Sequence, residues 1–190
     1  SPLLVHGEAL VKKLRAALGD SVPVELGMRY GEPSLRTAIG KLTEAGVDRI
    51  VAFSLFPHYA SSSWGTAVEK IAEEVARLTV TPALNLLPVY YDHPAFIRSL
   101  AAVTRPQLEA PYDKLLLSYH GLPERHMRAT DATQKHCLEK TDCCAAVVAA
   151  NSSCYRAQCY ATTRALTAAL ELPDSKVEVA FQSRLGRTPW

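Results

Sequence analysis

Two stretches of this chain carry residues that could do chemistry. In Leu115-Leu-Leu-Ser-Tyr-His-Gly-Leu-Pro123, His120 stands directly behind an apolar run that reads as a buried strand. Gly121 permits a tight backbone path and Pro123 fixes the next turn. A neutral imidazole held there can take up a proton or bind a metal ion at physiological pH. The alternative is a His that only hydrogen-bonds at the end of a strand. The second stretch holds all five cysteines, between Cys137 and Cys159, in the spacing C-x5-C-C-x9-C-x4-C. Four thiolates suit either zinc or an iron–sulfur cluster, although the two-residue knuckle spacing of zinc ribbons is missing. Two disulfides with a spare thiol would suit a smaller secreted scaffold, and buried free thiols are the remaining alternative.

These residues need elements to position them. Apolar spacing predicts a helix over 3–18 closed by Gly19, a strand over 22–28, and a helix opened by Pro33-Ser34 and closed by Gly46. A strand follows over 49–56, ended by Pro57. The polar loop 60–66 then feeds a helix over 67–78. Further strands are expected over 84–89, 113–119 and 177–182, and helices over 94–108 and 157–170. Strands alternating with helices give an α/β class, parallel sheets flanked by helices. Polar residues gather just past strand ends: Arg29-Tyr30, His58-Tyr59, His120 and Gln182-Ser183. In open α/β sheets that edge is where ligands bind. No G-x-G-x-x-G and no P-loop occurs, and no H-x-x-x-H or H-E-x-x-H pair supports a zinc hydrolase. His58 is expected at the surface, His93 at a helix start and His126 on a surface turn. His136 stands beside Cys137 and gains no role from spacing.

Composition narrows the classes. The chain has 190 residues, 48% hydrophobic and 21% charged, with 21 basic against 19 acidic residues. That mix builds a folded core and excludes intrinsic disorder. A net charge of +2 gives no electrostatic case for a nucleic-acid partner. No apolar run approaches the roughly 20 residues of a membrane span. The chain opens on Ser1-Pro2 and closes on Pro189-Trp190 just after an expected strand, so it is expected to be part of a longer protein.

Ser118-Tyr-His-Gly-Leu-Pro-Glu124 resembles the active-site signature of ferrochelatases, which insert iron into porphyrin. Four more segments agree, in order. Ser1-Pro-Leu3 resembles the opening of the helix near the porphyrin mouth, and Met28-Arg-Tyr-Gly-Glu-Pro33 the M-R-Y-x-x-P strand end. Leu55-Phe-Pro-His-Tyr-Ala-Ser-Ser-Ser-Trp-Gly65 resembles the L-x-P-x-Y-S-x-x-T-x-G loop, and Phe181-Gln-Ser-Arg-Leu-Gly-Arg-Thr-Pro-Trp190 the F-Q-S-x-x-G-x-x-P-W segment. The resemblance implies a Rossmann-like chelatase fold of two similar domains with a cleft between them, both incomplete in this chain. Residues 1–110 would be the later part of the first domain. Residues 111–190 would open the second, with a Cys-rich insertion at 129–160. The family's first strand would precede Ser1, and its second catalytic element, with a key Glu, would follow Trp190.

The resemblance also assigns roles. His120 would be the catalytic base or ligand for substrate Fe²⁺, opposite the Glu outside this chain. Arg29, Tyr30, Phe56, Tyr59 and Trp190 would contact the porphyrin, protoporphyrin IX or coproporphyrin. Some ferrochelatases carry a [2Fe-2S] cluster on an internal Cys-rich segment. Cys137, Cys144, Cys154 and Cys159 would be its ligands here, with Cys143 as the alternate to its neighbour. The family's short Gly-Asp-Pro-Tyr segment is not kept. The expected location is cytoplasmic, with peripheral contact to the inner membrane as an alternative for the longer protein, whose apolar lip would precede Ser1. The 190-residue piece alone is expected to be inactive. Two competing functions stand beside this one: a cobalt or nickel chelatase for a sirohydrochlorin-type tetrapyrrole, and a non-catalytic iron–sulfur sensor on a chelatase scaffold. The S-Y-H-G-L-P and F-Q-S segments favour the iron enzyme.

Overall fold

A computed structural model describes residues 2–183; the segment 184–190, including Trp190, lies outside the described residues. The chain is mixed α/β, with short parallel sheets flanked by helices. It divides into two compact units, 1–55 with 65–88, and 56–64 with 89–190. The sequence places a domain break at 110/111, a different division from these units.

The first unit opens with α1 (Pro2–Leu18), which carries Pro at its first position, where the missing N–H costs nothing. Gly7 is its one buried residue. A Cβ there would come within 2.9 Å of the Leu26 side chain, so the glycine is what lets the helix approach that segment. The expected strand over 22–28 does not form a ladder; it makes only an isolated bridge, Met28 with Ser34. Strand-forming residues alone do not make a strand without a partner backbone, and no other strand pairs with this segment among the described residues. Helix α2 (Leu35–Glu44) starts at Ser34, whose hydroxyl accepts from Thr37 N at 3.2 Å, and closes through Gly46 at φ +75°. Strand β1 (Arg49–Ala52), helix α3 (Thr66–Ala76) and strand β2 (Ala83–Leu86) follow, with β1 and β2 parallel and Ile50 opposite Leu84. The residues between β1 and α3 are not a plain loop. Ser61–Gly65 forms a π-helical turn, and α3 begins behind Gly65 with no side-chain cap, so these serines do not act as caps. Ile39, Ile50, Ile71 and Val75 make the core.

The second unit contains α4 (Pro94–Thr104), extended by a 3-10 turn at Arg105–Leu108. Pro106 has no N–H to continue the α ladder and disfavours the α conformation at the residue before it. Strand β3 (Leu115–His120) leads to the short helix α5 (Glu124–Ala129), which spacing did not reveal. Helix α6 (Tyr155–Leu170) then returns the chain to strand β4 (Val177–Gln182), parallel to β3 with His120 opposite Gln182. Leu166 and Leu170 of α6 bury against Ala101 of α4, with Leu115 and Leu117 of β3 packed alongside. Each such side chain contributes about 1.5–3 kcal/mol by leaving water. A second cluster of Met127, Cys137, Cys154 and Ala157 lies under the Cys-rich segment. Among the described residues no helix is long and apolar enough to cross a membrane.

Candidate functional site

His120 is the last residue of β3, still within the ladder rather than behind it, and its side chain is exposed. The strand delivers it to the sheet edge, and the Gly121 N–H donates to Gln182 O at 2.7 Å to hold the turn. The ring nitrogen Nδ1 sits 2.7 Å from Gly121 O. A carbonyl oxygen only accepts, so Nδ1 carries the proton and the basic lone pair is on Nε2. That tautomer can bind a metal or accept a proton at Nε2.

Beside it lies a buried aromatic cage. His58 is 9% exposed, against the surface position expected from sequence. Its ring lies edge-on to Tyr119 and Tyr155, each at 5.7 Å, and stacks with Tyr91 at 6.5 Å. Its Nε2 is 2.8 Å from Thr162 Oγ1. Thr162 gives its own proton to Tyr91 O at 2.6 Å, so His58 Nε2–H is the donor to the hydroxyl. Burial pushes the His58 pKa down from 6.5 to about 4, which keeps the ring neutral. Next to it, the Tyr59 N–H donates to Gln158 Oε1 at 2.6 Å, while Gln158 Nε2 donates to Ser152 O at 2.6 Å. The Tyr59 ring leans on Trp64 at 5.7 Å, and Phe56 is exposed.

Arg29 and Tyr30 belong to the first unit. The Arg29 guanidinium donates to Thr66 O and Thr66 Oγ1 at 3.0–3.2 Å, tying it to the start of α3, and lies 4.7 Å over the Tyr30 ring. Tyr30 is 75% exposed. Of the expected porphyrin contacts, Phe56 and Tyr59 fall in the same unit as His120, and Trp190 lies outside the described residues.

Four of the five thiols meet. Cys143 and Cys144 Sγ are 3.8 Å apart, and Cys154 exchanges side-chain hydrogen bonds with Cys144 and Cys137. Arg156 Nε donates to Cys144 Sγ at 3.4 Å. The hydrogen bond from Cys144 lowers the Cys154 pKa, with help from the first-turn N–H groups of α6, and raises that of Cys144. Cys159 is outside this chain of contacts: it is fully buried, and that burial pushes its thiol up to about 12. No group of three or more His, Cys, Asp or Glu side chains among the described residues is arranged to hold a metal ion.

The segment is held by two residues that sequence reading missed. Asp131, 2% exposed, accepts at Oδ1 from Thr133 N and Oγ1, and at Oδ2 from His136 N and Cys137 N, all within 2.6–2.9 Å. These donors hold its carboxyl far below the usual range. Asn151 Nδ2 donates to Cys143 O and Ala146 O at 2.7 and 2.8 Å, and its Oδ1 accepts from Val148 N at 2.6 Å. The D-x-T pattern at 131–133 is a legible turn signal; Asn151 and Gln158 carry none. His126 sits on α5 rather than on a surface turn, and its Nδ1 is buried without a hydrogen-bond partner. It faces a cavity of about 10 Å³ lined with Tyr59, Leu122 and Tyr155. His93 does start a helix, its Nδ1 accepting from Ala95 N at 3.2 Å.

A family model described as Ferrochelatase matches residues 1–190. Among curated relatives, the chain is 40% identical over 190 residues to the protein named Ferrochelatase of Opitutus terrae, covering 100% of this chain and 55% of that protein. It is 44% identical over 191 residues to the one of Pseudomonas fluorescens strain Pf0-1, and 43% over 194 residues to the one of Pseudomonas syringae pv. tomato, each covering 100% of this chain and 56% of that protein. The chain spans about half the length of the curated relatives it matches.

Proposed function

Because the chain belongs to the ferrochelatase family, we propose that the full-length protein inserts ferrous iron into a porphyrin, protoporphyrin IX or coproporphyrin, to make heme. Two pyrrole N–H bonds break, each nitrogen keeps its electron pair for the metal, and two protons must be taken away. The observation that carries the reading is the His120 tautomer: an exposed imidazole at a strand end, proton-bearing at Nδ1 toward Gly121 O and basic at Nε2. Nε2 accepts a pyrrole proton or holds the incoming Fe²⁺. Phe56 and Tyr59, in the same unit as His120, would grip the macrocycle.

We also propose that the Cys-rich segment holds a [2Fe-2S] cluster. What supports this is the donor set: Cys137 and Cys154 in one buried cluster against which Cys144 packs, Cys143 3.8 Å from Cys144, and a guanidinium on the Cys144 sulfur to offset thiolate charge. Those contacts favour Cys137, Cys144 and Cys154 as ligands, with Cys143 and Cys159 as the candidates for the fourth. Bound, the cluster would cross-link this segment and supply a one-electron centre. Purified full-length protein should then contain acid-labile sulfide and about two iron atoms per chain, and lose both in a Cys154→Ala variant.

The test of activity is zinc insertion into protoporphyrin by the full-length protein, read by product fluorescence. His120→Ala should remove it. Insertion that persists in His120→Ala refutes the role of His120. No insertion by the folded, cluster-loaded wild type refutes the ferrochelatase reading.

A further inference from the structure

Three polar residues of α6 are buried, Gln158, Thr162 and Thr163, and each is bonded outside its own helix. Gln158 Oε1 takes the Tyr59 N–H at 2.6 Å. Thr162 Oγ1 takes the His58 Nε2–H at 2.8 Å and gives its own proton to Tyr91 O at 2.6 Å. Within the helix it has only Gln158 O, farther away at 3.2 Å, so the hydroxyl is turned outward. Thr163 Oγ1 is hydrogen-bonded to the Tyr119 hydroxyl at 3.0 Å. Two adjacent β-branched residues are poor helix formers, and packing alone asks for no hydroxyl at either. Their bonds reach the neighbours of the proposed chemistry: His58 precedes Tyr59, and Tyr119 precedes His120.

We propose that Thr162 and Thr163 are positioning residues that set two parts of the site from one helix: Thr163 aims His120, and Thr162 seats the Tyr59 segment. This rests on the readings of His120 as the metal-insertion base and of Tyr59 as a wall for the porphyrin. Side chains alternate along a strand. Leu115, Leu117 and Tyr119 lie on the half-buried face of β3, with the two leucines packed beside Leu166 and Leu170 of α6, and Leu116, Ser118 and His120 lie on the exposed face. Tyr119 is thus the last inward anchor of the strand, and its bond to Thr163 fixes the backbone from which His120 projects on the other side. The Tyr119 ring also tilts against Phe181 of β4 at 5.9 Å, but a ring contact tolerates sliding where a hydrogen bond sets a distance. Thr162 accepts and donates at one atom, so it joins His58 to the Tyr91 carbonyl. The bond from the Tyr59 N–H to Gln158, one turn earlier on the same face, continues that seam. Neighbouring side chains on one rigid helix therefore hold base and wall in register.

The test uses the full-length protein with Thr162→Val and Thr163→Val, which keep the branched shape and lose the hydroxyl, and with Ser at each position, which keeps it. Thr163→Val should lower kcat for zinc insertion about fivefold with KM for porphyrin unchanged within about twofold, since a base displaced by a fraction of an ångström loses rate and not affinity. Thr162→Val should do the reverse, raising KM about fivefold with kcat unchanged within about twofold, since the wall binds the ring in ground and transition states alike. Thr163→Ser and Thr162→Ser should restore both constants to within about twofold of wild type. A second readout needs no turnover. With His labelled at Cε1, the His120 resonance should shift in Thr163→Val and stay in Thr162→Val, while that of His93 stays in both. Unchanged kcat and an unchanged His120 resonance in Thr163→Val overturn the proposal. So do kcat and KM that change together in both variants in step with a fall in Tm, because that is a purely structural role. If wild-type protein fails to insert metal yet the His120 resonance moves only in Thr163→Val, the ferrochelatase reading falls and the positioning of His120 stands.

Discussion

Acidification should weaken this protein through His58. In the folded chain the ring is caged by Tyr91, Tyr119 and Tyr155, and donates from Nε2 to Thr162. Burial lowers its pKa from 6.5 to about 4. The unfolded chain therefore binds a proton that the folded chain refuses between those two values. Stability from this group is complete above about pH 6.5, declines as pH falls, and levels off below about pH 4. At pH 5 the unfolded state gains about 1.5 log units of proton binding over the folded one, which is about 2 kcal/mol. The assay is the denaturant midpoint of the full-length protein at about pH 7 and about pH 5, for wild type and His58→Phe. The variant keeps an aromatic ring in the cage and leaves the Thr162 hydroxyl its bond to Tyr91 O. Every other titrating group is common to both proteins, so the difference between their pH dependences isolates His58. Wild type should lose about 2 kcal/mol more than the variant. Equal losses would refute the reasoning, and with it the claim that this His is held neutral by burial.

Three further outcomes follow from the same geometry. Gln158→Leu should cost about 2–3 kcal/mol, because it strands the Tyr59 N–H and the Ser152 carbonyl with no partners, and a thermal-melt loss below about 1 kcal/mol would contradict this. Asp131→Asn replaces an oxygen that takes two donors with an amide N–H₂ that takes none, so hydrogen exchange at the His136 or Thr133 amides should quicken and thiol labelling of the Cys-rich segment should rise; unchanged exchange would count against its anchoring role. Because the Asp131 pKa is lowered, its support is present at neutral pH and is lost only as pH falls through the depressed value. Glu171 ends α6 at φ 57°, where a Cβ is strained, so Glu171→Gly should stabilise by about 0.5–1 kcal/mol, seen as a rise in Tm of roughly 1–3 °C.

Much of this protein is legible in its residues. Apolar spacing located five of the six helices, because an amphipathic stripe with a cap such as Ser34 or a stop such as Gly46 declares itself locally. The run before His120 announced a buried strand carrying an imidazole to a sheet edge, and the ordered motifs around it gave the family. The clustering of five cysteines marked a thiol site. What the sequence could not decide depends on partners distant in the chain. The segment 22–28 has the residues of a strand, but among the described residues it pairs only through the Met28–Ser34 bridge. His58 looks like a surface residue until Tyr91, Tyr119, Tyr155 and Thr162, drawn from three other parts of the chain, close around it and hold it neutral. Nor does spacing say which thiols are buried together: Cys137 and Cys154 share a cluster, and Cys159 is fully buried further along α6. Residue type and local period are properties of the chain itself. Burial, hydrogen-bond partner and tautomer are properties of the neighbours, and those exist only once the chain has folded.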